Sequence, residues 1–104
     1  MKASDSEVNY SDYLQLDKLL HAQSPLQSGA HDELLFIIAH QAYELWFKQI
    51  IHELESIQQV FTPTPVDERM LGVAAARLKR IVQIQQLLVE QILVLETMTP
   101  LDFL

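Results

Sequence analysis

An all-α fold is predicted, in which a short N-terminal helix precedes a long antiparallel helical hairpin and a further helix opens at the C-terminus. Three observations carry this. Apolar residues recur at spacings of three and four through two long stretches. The chain has only two glycines and four prolines, too few to turn many short strands. The break between the two long stretches is the short TPTP run, Thr62–Pro65, and long helices joined so tightly must fold back on each other.

Residues 1–9 are polar and read as a flexible N-terminus. Order should begin at YSDYLQLDKLLHAQ, where Ser11 can cap a helix, Asp12 adds negative charge to its first turn, and Leu14, Leu16, Leu19 and Leu20 supply an apolar side. The expected helix spans Asp12–Ala22. Pro25 and Gly29 then break the chain across Gln23–Ala30.

The next helix should start at His31 or Asp32 and end near Phe61, because proline disfavours helix in the residue before it. Phe36, Ala39, Tyr43, Phe47, Ile50, Leu54, Ile57 and Phe61 fall on one face, and His40 lies there too. Gln41, Glu44, Lys48 and Glu55 form a polar strip, with Glu44 and Lys48 in the favourable order for an ion pair. Leu34–Ile38 is apolar all round, so more than one neighbour should cover it.

The returning helix is expected over Val66–Thr97. Ala74, Leu78, Ile81, Gln85, Leu88, Ile92 and Leu95 make a coiled-coil-like seam with one polar interruption. Gly72 costs about 1 kcal/mol of helix propensity, too little to break so periodic a segment. Thr99, Pro100 and Asp102 then give a helix-start signal that Leu104 cuts short. On this ground the 104 residues are expected to be the N-terminal piece of a longer protein.

Composition excludes several functions. Fourteen acidic against seven basic residues give a formal charge of −7, and no basic stripe is available to neutralise phosphates, which argues against nucleic-acid binding. No cysteine means no disulfide, thiolate metal site or cysteine nucleophile, and suits a cytoplasmic protein. The N-terminus lacks the apolar core of a signal peptide, and no window has the length to span a membrane.

Among the four histidines, His40 stands out, because a ring on an apolar face needs a hydrogen-bond partner or a ligand. On pattern alone it reads more readily as a satisfied structural histidine. His52-Glu53 opens like HExxH, but Ser56 occupies the fifth position and the zinc motif fails. His21 and His31 lie near helix ends, where capping or solvation is expected. Tyr10 and Tyr13, three apart, read as packing residues, and Phe36 and Trp46 pass as core.

FIIAHQAYELWFKQI is more specific than any of these patterns. It resembles the signature helix of the tryptophan 2,3-dioxygenases, haem enzymes that open the indole ring of L-tryptophan with O2 to give N-formylkynurenine, the first step of the kynurenine route. YSDYLQLDKLLHAQ, HDELLFIIAH and LETMTPLDF extend the likeness over roughly Tyr10 to Leu104, closest to the animal-type branch. The resemblance implies that His40 is the distal histidine, accepting a hydrogen bond from the indole N–H, and that Phe36 packs on the indole. It implies that Tyr10, Tyr13 and Leu14 are lent to a neighbouring subunit's site, making an intertwined tetramer, and that Phe103 borders the substrate.

In that family an arginine just past the position of Phe103 clamps the substrate carboxylate, and the histidine ligating the haem iron comes far downstream. Neither has a counterpart in these residues, so no iron ligand is assigned and the 104 residues alone are expected to be inactive. The rival expectation is a catalytically inactive helical hairpin serving oligomerisation or regulation, which the heptad-like seam would suit.

Overall fold

The computed structural model describes residues 9–27 and 29–98. All regular structure among them is helical: α1 (Tyr10–Tyr13), α2 (Leu16–Leu20), α3 (Glu33–Val60), a 3₁₀ turn (Glu68–Met70) and α4 (Leu71–Leu95). The expected helix start at Thr99–Asp102 and the polar run 1–8 lie outside the described residues. No helix among the described residues is long and apolar enough to cross a membrane.

The single helix expected over Asp12–Ala22 is two. Gln15 sits between them at φ 53°, ψ 45°, a left-handed conformation that L-residues with a Cβ adopt at a cost of about 1–2 kcal/mol. Asn9, not Ser11, caps α1: its side-chain oxygen accepts from the Asp12 amide at 2.8 Å, and its amide donates to the Asp12 carboxylate at 3.0 Å. The cap therefore falls two residues early, and Ser11 lies inside the helix. Leu16 is half-buried, whereas Leu14, Leu19 and Leu20 are exposed.

α3 begins and ends within two residues of expectation. At its end Thr62 donates its hydroxyl to the Gln58 carbonyl at 3.0 Å. α4 starts later than predicted, and the reason is local. Asp67 has extended backbone, and its carboxylate accepts from the amide and side chain of Arg69, so it caps the 3₁₀ turn and delays the helix to Leu71. Those bonds from Arg69 hold the Asp67 carboxyl below the usual range.

The hairpin is antiparallel: Tyr43 meets Leu88 while Glu53 meets Arg80, so numbering rises along one helix as it falls along the other. Its core is Ile57, Val60, Ala74 and Ile81, with Ile50 packed against them, and Ile84 is buried as well. This corrects the predicted faces. On α3 the inward line runs Tyr43, Trp46, Ile50, Glu53, Ile57 and Val60, while Phe47, Leu54 and Phe61 are exposed. On α4 Ala74, Ile81, Leu88 and Leu95 hold their expected places. The alternate positions, however, are Arg77, Ile84 and Gln91, each one residue before Leu78, Gln85 and Ile92. Spacings of three and four can be phased either way, and the choice is made by what the facing helix offers.

Candidate functional site

His40 is held by its own helix. Its Nδ1 lies 2.7 Å from the Phe36 carbonyl oxygen, and since a carbonyl can only accept, Nδ1 carries the proton. In the neutral ring Nε2 is then left as a bare acceptor. The Phe36 and His40 rings face each other with centroids 4.1 Å apart and planes tilted by 37°. One helical turn thus sets both the tautomer and the orientation of the imidazole.

The expectation that His40 lies on the core-facing side needs correcting, because it is exposed on the rim of the hairpin. It separates two concavities. One, of about 420 Å³, is bordered by His40, Tyr43 and Phe47 from α3 and by Leu88, Ile92 and Leu95 from α4. The other, of about 560 Å³, is bordered by Leu19, His40, Gln41 and Leu45. Apart from Glu44 and His40, the first is walled by aliphatic and aromatic side chains, so it suits an apolar, flat group with one polar edge.

Gln41, next to His40, ties the N-terminal segment to α3. Its amide donates to the Ala22 carbonyl at 2.9 Å, and its oxygen accepts from the Gln23 side chain at 2.9 Å. Glu33 anchors the same loop: one carboxylate accepts from the amides of Leu26 and Gln27, at 2.7 and 2.8 Å, and is buried. Together these bonds tie the segment that follows α2, whose Leu19 borders the second concavity, to α3. Neither residue was singled out as a site residue from the sequence, because a glutamine on a polar strip and a glutamate at a helix start have many solvated roles.

The remaining candidates are placed as follows. Tyr10 and Tyr13 are each 74% exposed, and Leu14 is 40% exposed. None of the three borders either concavity beside His40. Phe103 lies outside the described residues. The predicted Glu44–Lys48 ion pair does not form among the described residues, and the two side chains instead border the open surface near His40. His21 Nδ1 donates to the Asp17 carbonyl at 2.7 Å, the capping role expected of it. Tyr43, read as apolar face, proves to be a tether: its hydroxyl donates to the Leu88 carbonyl at 2.8 Å. The available signal was chemical, since a buried tyrosine hydroxyl needs a partner.

Against known proteins, the family model described as tryptophan 2,3-dioxygenase matches residues 1–104. The chain is 57% identical to a tryptophan 2,3-dioxygenase of Bdellovibrio bacteriovorus over 101 residues, covering 93% of this chain and 28% of that protein. It is 56% identical to that of Xenopus laevis over 108 residues, covering 98% and 26%. With the enzyme of Dictyostelium discoideum the identity is 50% over 107 residues, covering 99% and 27%. The chain therefore spans little more than a quarter of the length of these relatives, yet nearly all of it takes part in the match. It belongs to the tryptophan 2,3-dioxygenase family.

Proposed function

We propose that these residues form the distal wall of a haem site where the indole ring of L-tryptophan is cleaved by O2 to give N-formylkynurenine. The observation that carries this is the bond from His40 Nδ1 to the Phe36 carbonyl. It leaves Nε2 as an acceptor beside an aromatic ring and an apolar groove. An indole offers one N–H donor on an otherwise apolar bicycle, which is the complement of that arrangement. The donor set fits the distal side of a haem, with an imidazole already bound to its own helix and aliphatic and aromatic neighbours. No residue of this chain is assigned to the iron. When bound, the haem iron supplies the binding and activation of O2.

The chain's own part is orientation. His40 Nε2 receives the indole N–H and so fixes the ring's direction, and Phe36 limits its tilt by ring contact worth about 1 kcal/mol. Tyr10, Tyr13 and Leu14, exposed on and just beyond α1, are offered to the site of a neighbouring subunit in a homotetramer. Phe103 is assigned to the border of the substrate pocket. Residues 10–104 then act as the N-terminal helical portion of the haem domain in a cytoplasmic enzyme.

The test is His40→Ala in the protein expressed from its complete coding sequence. The Michaelis constant for tryptophan should rise about tenfold, the loss of one buried hydrogen bond to a ligand, with haem content unchanged. Steady-state kinetics equal to wild type would remove His40 from the site.

A further inference from the structure

We propose that Tyr43 is a positioning residue for the ligand held at His40, acting through its hydroxyl bond to the Leu88 carbonyl across the hairpin. The inference rests on the reading of His40 as acceptor of the indole N–H. Tyr43 stands about one turn past His40 on α3, and its hydroxyl reaches the α4 backbone at 2.8 Å. The other polar link described between the two helices, Arg80 to Glu53, is ten residues further along α3, about 15 Å away. At the His40 end the walls that face each other across the groove are mainly aliphatic and aromatic, and apolar contact is non-directional. A hydrogen bond to a backbone oxygen fixes the helix itself.

What it fixes is the far wall of the groove. Leu88, Ile92 and Leu95 face His40 and Phe47 across about 420 Å³, and Tyr43, whose ring stacks near that of Phe47 with centroids 6.1 Å apart, spans the floor. A ring held by one hydrogen bond at its edge can still swing about that bond, and a wall at fixed distance stops it. Tyr43 touches neither iron nor O2 in this role; it sets the space beside His40.

Tyr43→Phe removes only the hydroxyl, and the Leu88 carbonyl keeps its helical partner. In the haem-loaded protein expressed from its complete coding sequence, the dissociation constant of tryptophan by calorimetry and KM should both rise about fivefold, with kcat within about twofold. Amide exchange near Leu88 should quicken. Adding Tyr43→Phe to His40→Ala should weaken binding no further than His40→Ala alone. Unchanged affinity and KM in Tyr43→Phe overturn the assignment, even with a lower melting temperature, and so does loss of haem or of the fold, which would make Tyr43 a general structural residue. The two readings fail separately: if His40→Ala weakens binding and Tyr43→Phe does not, only the Tyr43 assignment falls, whereas unchanged binding in His40→Ala removes the His40 reading and this one with it.

Discussion

Glu53 and Arg80 join the two long helices through a single contact, Arg80 Nη1 donating to Glu53 Oε2 at 3.0 Å. The carboxylate is 4% exposed and the guanidinium side chain 60% exposed, so the acid lies in the seam and the base reaches it from outside. Gln49 donates to the same oxygen at 2.6 Å. The Arg80 bond holds the Glu53 carboxyl below its ordinary value, against the opposing pull of burial, with Gln49 adding to it. A carboxyl whose pKa is depressed by folding stabilises the fold above its unfolded value, about 4.3, and loses that contribution as pH falls through the folded value. The hairpin should therefore weaken on acidification below about pH 4, seen as falling amide protection factors along α3 and α4. Glu53→Gln should flatten this dependence, and an unaltered profile in that variant would exclude the pair as its source.

The seam's phase on α4 can be tested by neighbouring truncations. Ile84 is 6% exposed and Gln85 is exposed. Ile84→Ala should cost about 2–4 kcal/mol in urea unfolding, through lost burial and a cavity, while Gln85→Ala should stay within about 0.5 kcal/mol. A larger loss at Gln85 than at Ile84 would favour the phase read from the sequence.

Glu33 should prove to be the anchor of the loop before α3. Its buried carboxylate satisfies two amides at once, and Glu33→Ala leaves both without partners. The expected loss is about 1.5–3 kcal/mol of local stability, read as faster exchange of the Leu26 and Gln27 amides and new proteolytic cleavage within residues 22–30. Protection equal to wild type at those two amides would show that the loop is held by other contacts.

The helices were legible because periodicity and punctuation agree: the TPTP run and the apolar spacing place α3 within two residues. What was not legible follows from chemistry that short-range patterns omit. Gln15 adopts a left-handed backbone that nothing in its identity requires, so the first helix looked continuous. Glu53 seemed part of a failed metal motif, because a single glutamate reveals its burial only when Arg80 is known to face it. Phe47 and Leu54 passed as core on spacing, although the hairpin buries a line of side chains shifted to Trp46 and Glu53. His40 was singled out for standing on the apolar face, whereas the hairpin leaves it exposed on its rim. The bond it makes to Phe36, four residues back, is available to any helical histidine of the right rotamer.

That bond also yields the sharpest chemical prediction. With Nδ1 donating to the Phe36 carbonyl, nitrogen-15 spectra of the neutral ring should show a protonated-type Nδ1 and a bare Nε2. The opposite tautomer would leave no acceptor for a ligand N–H. If His40 receives the indole N–H as proposed, analogues should be sorted accordingly in the protein expressed from its complete coding sequence. Tryptophan methylated at the indole nitrogen keeps the apolar ring but presents a methyl group where Nε2 expects a proton, so wild type should bind it about tenfold or more weakly than tryptophan. In His40→Ala the acceptor is gone and space is gained, so that discrimination should largely vanish, bringing the two ligands to within a few-fold of each other. Discrimination that survives intact in His40→Ala would mean that another group receives the indole N–H, and that the imidazole beside Phe36 serves only the helix.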